Sequence, residues 1–178
     1  MPELPEVETF RRFLKHGTGD FPSILGKQIE GGKLLWEKTL ASPDPEAFFQ
    51  RIPGQVVLDL GRRGKHLLIH LTRDTMIFHF RMSWEILVES RVDPVGDHVR
   101  LYIDFQDDSR LVYNNPRKFG RVWLTDQPED LLSHLGPEPL GEDFTPADLY
   151  RILHSRSRQI KYLLLDQRVI AGLGNIYT

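Results

Sequence analysis

The chain has 178 residues, 40% of them hydrophobic, and a formal net charge of −2. That length suits one domain, or one domain with part of a second, and the apolar share supports a packed core rather than disorder. With no cysteine there is no disulfide, thiol nucleophile or thiolate ligand for zinc, and the seven histidines form no HExxH pair, so no metal is expected in this chain.

The chain opens with "MPELPEVET". Pro2 and Pro5 can simply shape the approach to a helix. A chemical reading stands beside it: once Met1 is removed, Pro2 carries a free secondary amine with Glu3 next to it. From Glu6 to His16 the spacing predicts a helix, with Val7, Phe10, Phe13 and Leu14 on one face and Arg11, Arg12 and Lys15 on the other. From Lys27 the period turns toward strands. "GQVVLDLGRRGKHLLIHL" predicts two strands joined by a basic turn at Arg62 to Gly64, and "MIFHF" and "WEILV" continue the β pattern. "HVRLYIDF", a turn at "QDDS" and "RLVYNN" predict a hairpin, and "GRVWLT" a further strand. Many short strands separated by turns predict a sandwich or barrel.

The character changes after Thr125. "HLGPEPLGEDF" is rich in turn formers and acids and is expected to link. "TPADLYRILHSR" starts a helix with a Thr cap and a Pro at the first helical position. "SRQIKYLLLDQ" predicts a second helix, with Ile160, Leu163 and Leu164 on its buried side. The expected division is residues 1–125 as a β-sandwich domain with its N-terminal helix, 126–144 as linker, and 145–178 as the start of a helical domain. Ile176 and Tyr177 stand where a new helix begins, so the chain is expected to be the N-terminal part of a longer protein. No run is long and apolar enough to span a bilayer, and the N-terminus lacks a signal-peptide pattern; a cytoplasmic protein without membrane partners is expected.

A dedicated nucleic-acid binder is usually basic, and this chain is not. Its basic residues cluster, however: Arg62, Arg63 and Lys65; Arg117, Lys118 and Arg121; and Arg151, Arg156, Arg158, Lys161 and Arg168. Each group reads as a solvated face or as part of a positive groove. Within "GRRGKHL", Lys65 reads as a solvated hairpin tip or as a phosphate contact or catalytic ammonium. Met82 in "HFRMSW" reads as core filler or as a wedge between bases. In "NNPRKFG", Arg117 and Phe119 stand two apart and point the same way if extended, which suits stacking and base-edge contacts; Phe119 packed inward is the alternative. "GLGN" lacks the strand and full spacing of a dinucleotide loop, but such a turn can hold a phosphate on backbone N–H groups.

Taken together, "MPELPEVET", "GRRGKHLL", "HFRMS", "DHVRL", "NNPRKFG", "HLGPEPL" and "LLLDQRVIAGLGNIYT" resemble, in order and over nearly the whole chain, the formamidopyrimidine-DNA glycosylases, which excise oxidised purines from DNA. The resemblance implies an α+β fold. An N-terminal β-sandwich with a long helix would be followed by the first helices of a helix–two-turns–helix domain, here incomplete and without the family's zinc finger. It implies Pro2 as nucleophile at the sugar carbon, Glu3 as the acid assisting ring opening, and Lys65 as a further catalytic cation. It places Met82, Arg117 and Phe119 as the trio filling the space of a flipped base, and His79, Lys161 and Asn175 at phosphate contacts. Arg156, from the third basic group, joins the DNA-binding set. The implied reaction is removal of 8-oxoguanine or formamidopyrimidine through a Schiff base, then β,δ-elimination at the abasic site. The implied partner is double-stranded DNA with oxidised purines or abasic sites, met by a monomer, with activity impaired by what is missing. An endonuclease VIII-like enzyme for oxidised pyrimidines and a non-catalytic damage-sensing relative are the alternatives. Two positions depart from the family pattern: Gly96 before "DHV", and Trp84 beside Met82.

Overall fold

The computed structural model describes residues 2–19, 22–82 and 85–178. Met1 and Trp84, on which two of the readings above bear, lie outside them. Helix α1 (Leu4–His16) starts two residues earlier than the apolar period predicts, because Pro5 occupies its first turn and the Glu6 carboxylate accepts the Glu3 N–H at 2.8 Å. It buries Leu4, Val7 and Leu14, whereas Phe13 stays 38% exposed.

Strands β1 (Ile29–Leu34) and β2 (Leu40–Ser42) and helix α2 (Pro45–Arg51) follow. The helix is capped by the Asp44 carboxylate, which accepts the Ala47 N–H at 3.0 Å. Then come β3 (Val57–Arg63), β4 (His66–Leu71), β5 (Thr75–His79), β6 (Glu85–Ser90), β7 (Val99–Phe105), β8 (Ser109–Asn114) and β9 (Arg121–Thr125). They form a four-stranded sheet in the order β1-β7-β8-β6 and a five-stranded sheet in the order β2-β9-β5-β4-β3. Every pairing is antiparallel except β2 with β9.

Side chains from both sheets and from α1 fill one core, including Phe78, Phe80, Phe105, Tyr113, Leu67, Ile69 and Leu101. Each large apolar side chain buried there contributes about 1.5–3 kcal/mol. A second cluster lies on the other face of β4 and β5: Leu68, Ile77, Leu132, Leu135 and Ala171, with Trp123 against it. Burial on both faces explains why "LLI" in β4 and "MIF" in β5 are consecutive apolar residues rather than alternating ones.

That second cluster changes the reading of the stretch after Thr125. It carries helix α3 (Pro128–Leu132), and Leu132 and Leu135 are buried against the sheet, so part of the expected linker is packed structure. Helix α4 (Pro146–His154) begins as its sequence predicts: Thr145 Oγ1 accepts the Asp148 N–H at 3.2 Å. Helix α5 (Ile160–Leu165) buries Leu163, but Ile160 is 62% exposed, contrary to its expected inward position. Among the described residues, no helix is long and apolar enough to cross a membrane.

Candidate active site

The first turn of α1, the β3–β4 turn and the segment Gly172–Thr178 meet at one place. Glu3 is buried at 1% exposure. Its carboxylate accepts backbone N–H bonds from Gly174 at 2.5 Å, Ile176 at 2.8 Å and Tyr177 at 3.4 Å. Leu4 N–H donates to the Gly172 carbonyl at 3.0 Å, which ties the start of α1 to the same loop. The Glu6 carboxylate, besides holding the Glu3 N–H, accepts the Tyr177 hydroxyl at 2.9 Å.

Lys65 comes from the other side. It is 5% exposed, so the basic turn is no solvated tip. A Cβ added at Gly174 would lie 2.8 Å from Lys65 Nζ and 2.5 Å from Glu3 Oε1, so ammonium and carboxylate both face that one glycine. Only a residue without a side chain fits between them. Burial lowers the Lys65 pKa from its ordinary value, and the nearby Glu3 charge opposes the shift. Pro2 is half-buried and covalently next to Glu3. The three residues expected to carry catalysis therefore share one neighbourhood.

Arg62 and Arg63 do not form an open positive face. Arg62 pairs with Glu138 at 2.7 Å and Glu8 at 3.4 Å, and Arg63 pairs with Glu138 at 2.9 Å. The cations are used to fix the turn.

The second cluster of expected residues sits at the tips of β5 and β9. Met82, 39% exposed, and Phe119, 52% exposed, line one cleft of about 380 Å³ with Arg81 and Arg121. Neither is core. Arg117 is exposed, and its guanidinium lies 5.6 Å from the centre of the Phe119 ring. Two non-glycine residues with left-handed backbone border the cleft, Arg81 at φ 60° and Lys118 at φ 60°. The loop is held by fully buried Asn115, whose Oδ1 accepts the Phe119 N–H at 3.1 Å and whose Nδ2 donates to the Tyr113 hydroxyl at 2.9 Å. Lys118 packs over the Trp36 ring at 4.1 Å.

The remaining expected residues are placed as follows. His79 is half-buried, its ring centre 4.6 Å from that of His66, and its Nδ1 is buried without a hydrogen-bond partner among the described residues. Burial pushes the pKa of His79 down to about 3 and that of His66 down to about 4. His79 is thus neutral at pH 7. Asn175 is exposed between Gly174 and Ile176, both donors to Glu3. Arg156 and Lys161 are exposed, Arg156 donating to the Ile152 carbonyl at 2.7 Å; among the described residues neither is joined to the Glu3 cluster by a hydrogen bond or ion pair.

Residues 1–122 match the formamidopyrimidine-DNA glycosylase N-terminal domain, and residues 135–178 match the H2TH domain of the same proteins. The chain belongs to the formamidopyrimidine-DNA glycosylase family. It is 44% identical over 182 residues to the formamidopyrimidine-DNA glycosylase of Geobacillus kaustophilus, covering 99% of this chain and 64% of that protein. It is 40% identical to that of Bacillus subtilis, again over 99% of this chain and 64% of the relative. Among solved structures, the Lactococcus lactis enzyme bound non-covalently to DNA with an AP site matches at TM-score 0.85 and 33% identity, covering 98% of this chain and 66% of that one. The same enzyme in complex with DNA containing FAPY-dG matches at TM-score 0.86 and 34% identity, over 98% and 65%. The chain thus spans just under two thirds of the length of these curated relatives. The chain has no cysteine, and among the described residues no group of three or more His, Asp or Glu is placed to hold a metal ion.

Three residues of the site escaped the reading of the sequence: Asn115, Glu138 and Gln167. Gln167 shapes the glycine loop, accepting the Gly172 N–H at 2.9 Å and donating to the Leu173 carbonyl at 2.7 Å. All three lie within quoted motifs, Glu138 in a stretch read as linker. Their roles depend on partners distant in the chain or on backbone groups, and the residue types do not announce either.

Proposed function

We propose that this chain carries the catalytic part of a base-excision DNA glycosylase with abasic-site lyase activity, acting on oxidised purines. The observation that carries the reading is the convergence of Glu3 and Lys65 on Gly174, next to Pro2. With Met1 removed, Pro2 presents a secondary amine in the range of an α-amino group, about 7.7–8.0, which leaves a neutral fraction near pH 7. That amine attacks the anomeric carbon of the damaged nucleotide. The C–N bond to the base breaks, and the base leaves with its electron pair and takes up a proton. Glu3, held by backbone N–H groups, assists opening of the sugar ring. The resulting iminium is an electron sink. Loss of a C2′ proton expels the 3′ phosphate, a second elimination releases the 5′ phosphate, and water then hydrolyses the C–N bond to Pro2, freeing the sugar remnant as an aldehyde and restoring the amine. Lys65, desolvated and next to Glu3, supplies a cation and a movable proton at this centre.

The damaged nucleotide must leave the stack to be reached, at a cost of a few kcal/mol. Exposed Met82 and Phe119 around one cleft, with Arg117 beside them, supply an apolar wedge, a stacking ring and a donor for the orphaned base. Asn175, His79, Lys161 and Arg156 are assigned to phosphates. The partner is lesion-bearing duplex DNA, bound by a monomer in the cytoplasm.

Borohydride trapping on an abasic-site duplex tests the reading. A covalent adduct is expected, and Pro2→Gly is expected to abolish it. A folded sample that binds the duplex but yields no adduct would favour the damage-sensing alternative. Faster excision from thymine-glycol than from 8-oxoguanine duplexes would move the chain to the oxidised-pyrimidine enzymes.

A further inference from the structure

The motif "HLGPEPL" takes no part in the sugar chemistry just described, yet its half-buried Glu138 reaches across to the β3–β4 turn and to two arginines there. We propose that Glu138 is a positioning residue for Lys65: it clasps the β3–β4 turn and so sets where the Lys65 ammonium stands relative to Glu3. The inference deepens the reading above and rests on it for the role of Lys65.

Glu138 Oε1 accepts the Gly64 N–H at 2.5 Å and an Arg63 guanidinium N–H at 2.9 Å, and Oε2 lies 2.7 Å from Arg62 NH1. Arg63 also donates to the carbonyls of Leu135 at 2.8 Å and Gly136 at 2.6 Å. Arg62 reaches on to Glu8 of α1, 3.4 Å away. One half-buried carboxylate thus joins the turn that precedes Lys65, the stretch Leu135–Glu138 and, through Arg62, the helix that starts at the nucleophile. Gly64 itself has φ 54°, and a Cβ on it would stand 3.3 Å from the Ala171 Cβ, so the turn lies directly against the loop that holds Glu3.

The physical need for a clasp follows from lysine. Its ammonium rides on a flexible four-carbon stem, so its position is inherited from its Cα. Lys65 is the residue after Gly64, and the turn consists of two arginines and a glycine, which repel and bend easily. Removing the carboxylate leaves two part-buried guanidinium groups without their shared partner. The turn is then expected to swing outward and take Lys65 with it, and a misplacement of about 1 Å can cost roughly a hundredfold in rate.

The test uses Glu138→Ala and Glu138→Gln, the latter keeping an acceptor for the Gly64 N–H but losing both arginine pairs. The first readout is reductive ¹³C-methylation of Lys65 without DNA. It is expected to be slow in the parent and roughly tenfold faster in Glu138→Ala, because local opening exposes the amine. The second is the borohydride-trapped rate on abasic-site DNA. At saturating DNA it is expected to fall by roughly 10–100-fold with half-saturation unchanged, the split that marks loss of an interaction made only at the reacting centre. Glu138→Gln should move both readouts in the same direction by less. Unchanged labelling and unchanged saturating rate in folded Glu138→Ala overturn the proposal; if that variant does not fold, the same result in Glu138→Gln overturns it. If the parent forms no adduct, the enzymatic reading fails, while the labelling ratio still decides whether Glu138 holds Lys65.

Discussion

Glu3 and Gly174, 171 residues apart, are joined by a 2.5 Å hydrogen bond from backbone N–H to carboxylate, and the glycine has no room for a side chain because Lys65 Nζ closes the other side. Gly174→Ala is therefore expected to destabilise the protein by about 1–3 kcal/mol, the usual cost of overpacking, and to displace Glu3 or Lys65. Urea denaturation should show the loss, and trapping should fall with it. Gly31→Ala, where an added Cβ meets nothing within 4 Å, is the comparison and should stay near parental stability.

Asn115 links the cleft loop to the core. Asn115→Ala would leave the buried Tyr113 hydroxyl and the Phe119 N–H without that partner. A loss of about 1–3 kcal/mol is expected from the unsatisfied groups. The looser loop should be cut faster by trypsin after Arg117 and Lys118, and unchanged cleavage would show that the loop is held by something else.

Met82 and Phe119 are exposed, so their removal should leave stability within about 0.5 kcal/mol. Binding to a duplex with an abasic site should nevertheless weaken, by about 1–3 kcal/mol for the lost stacking of Phe119. A melting temperature that falls as much as the affinity would return both residues to a packing role.

The His66–His79 pair gives a pH dependence whose sign is fixed. Both folded pKa values lie below the ordinary value of 6.5, at about 4 and about 3. The unfolded chain therefore binds more protons between those values and 6.5, so stability is full above pH 6.5 and falls as pH drops below it. Each histidine contributes a slope of up to about 1.4 kcal/mol per pH unit in that window. Urea midpoints at pH 7, 6 and 5 check the slope. Ring proton shifts of both histidines should stay flat from pH 8 to 5.5, and a midpoint near 6.5 for either would contradict the burial of the pair.

Much of this molecule was readable in one dimension. The strand pattern, the basic turn before Lys65 and the capped helix after Thr145 follow from local periodicity and turn chemistry, which act between neighbours. The motifs marked the candidate residues for chemistry and, by resemblance, the family. Local pattern failed where a segment's partner is remote. Leu132 and Leu135 read as part of a linker because nothing nearby shows the second apolar face of β4 and β5 that covers them. Arg62 and Arg63 read as open charge because Glu138 is some 75 residues on.

The sequence by itself determined the succession of short strands and turns, the glycines at the turns and the identity of the candidate reactive groups, since these depend on residue type and short spacing. Only the tertiary structure decided that Lys65 is buried, that Met82 and Phe119 are exposed, and that the first and last turns of the chain meet at Gly174. Those outcomes depend on which surfaces are brought together, and burial, charge pairing and the room left for a side chain exist only once they have met.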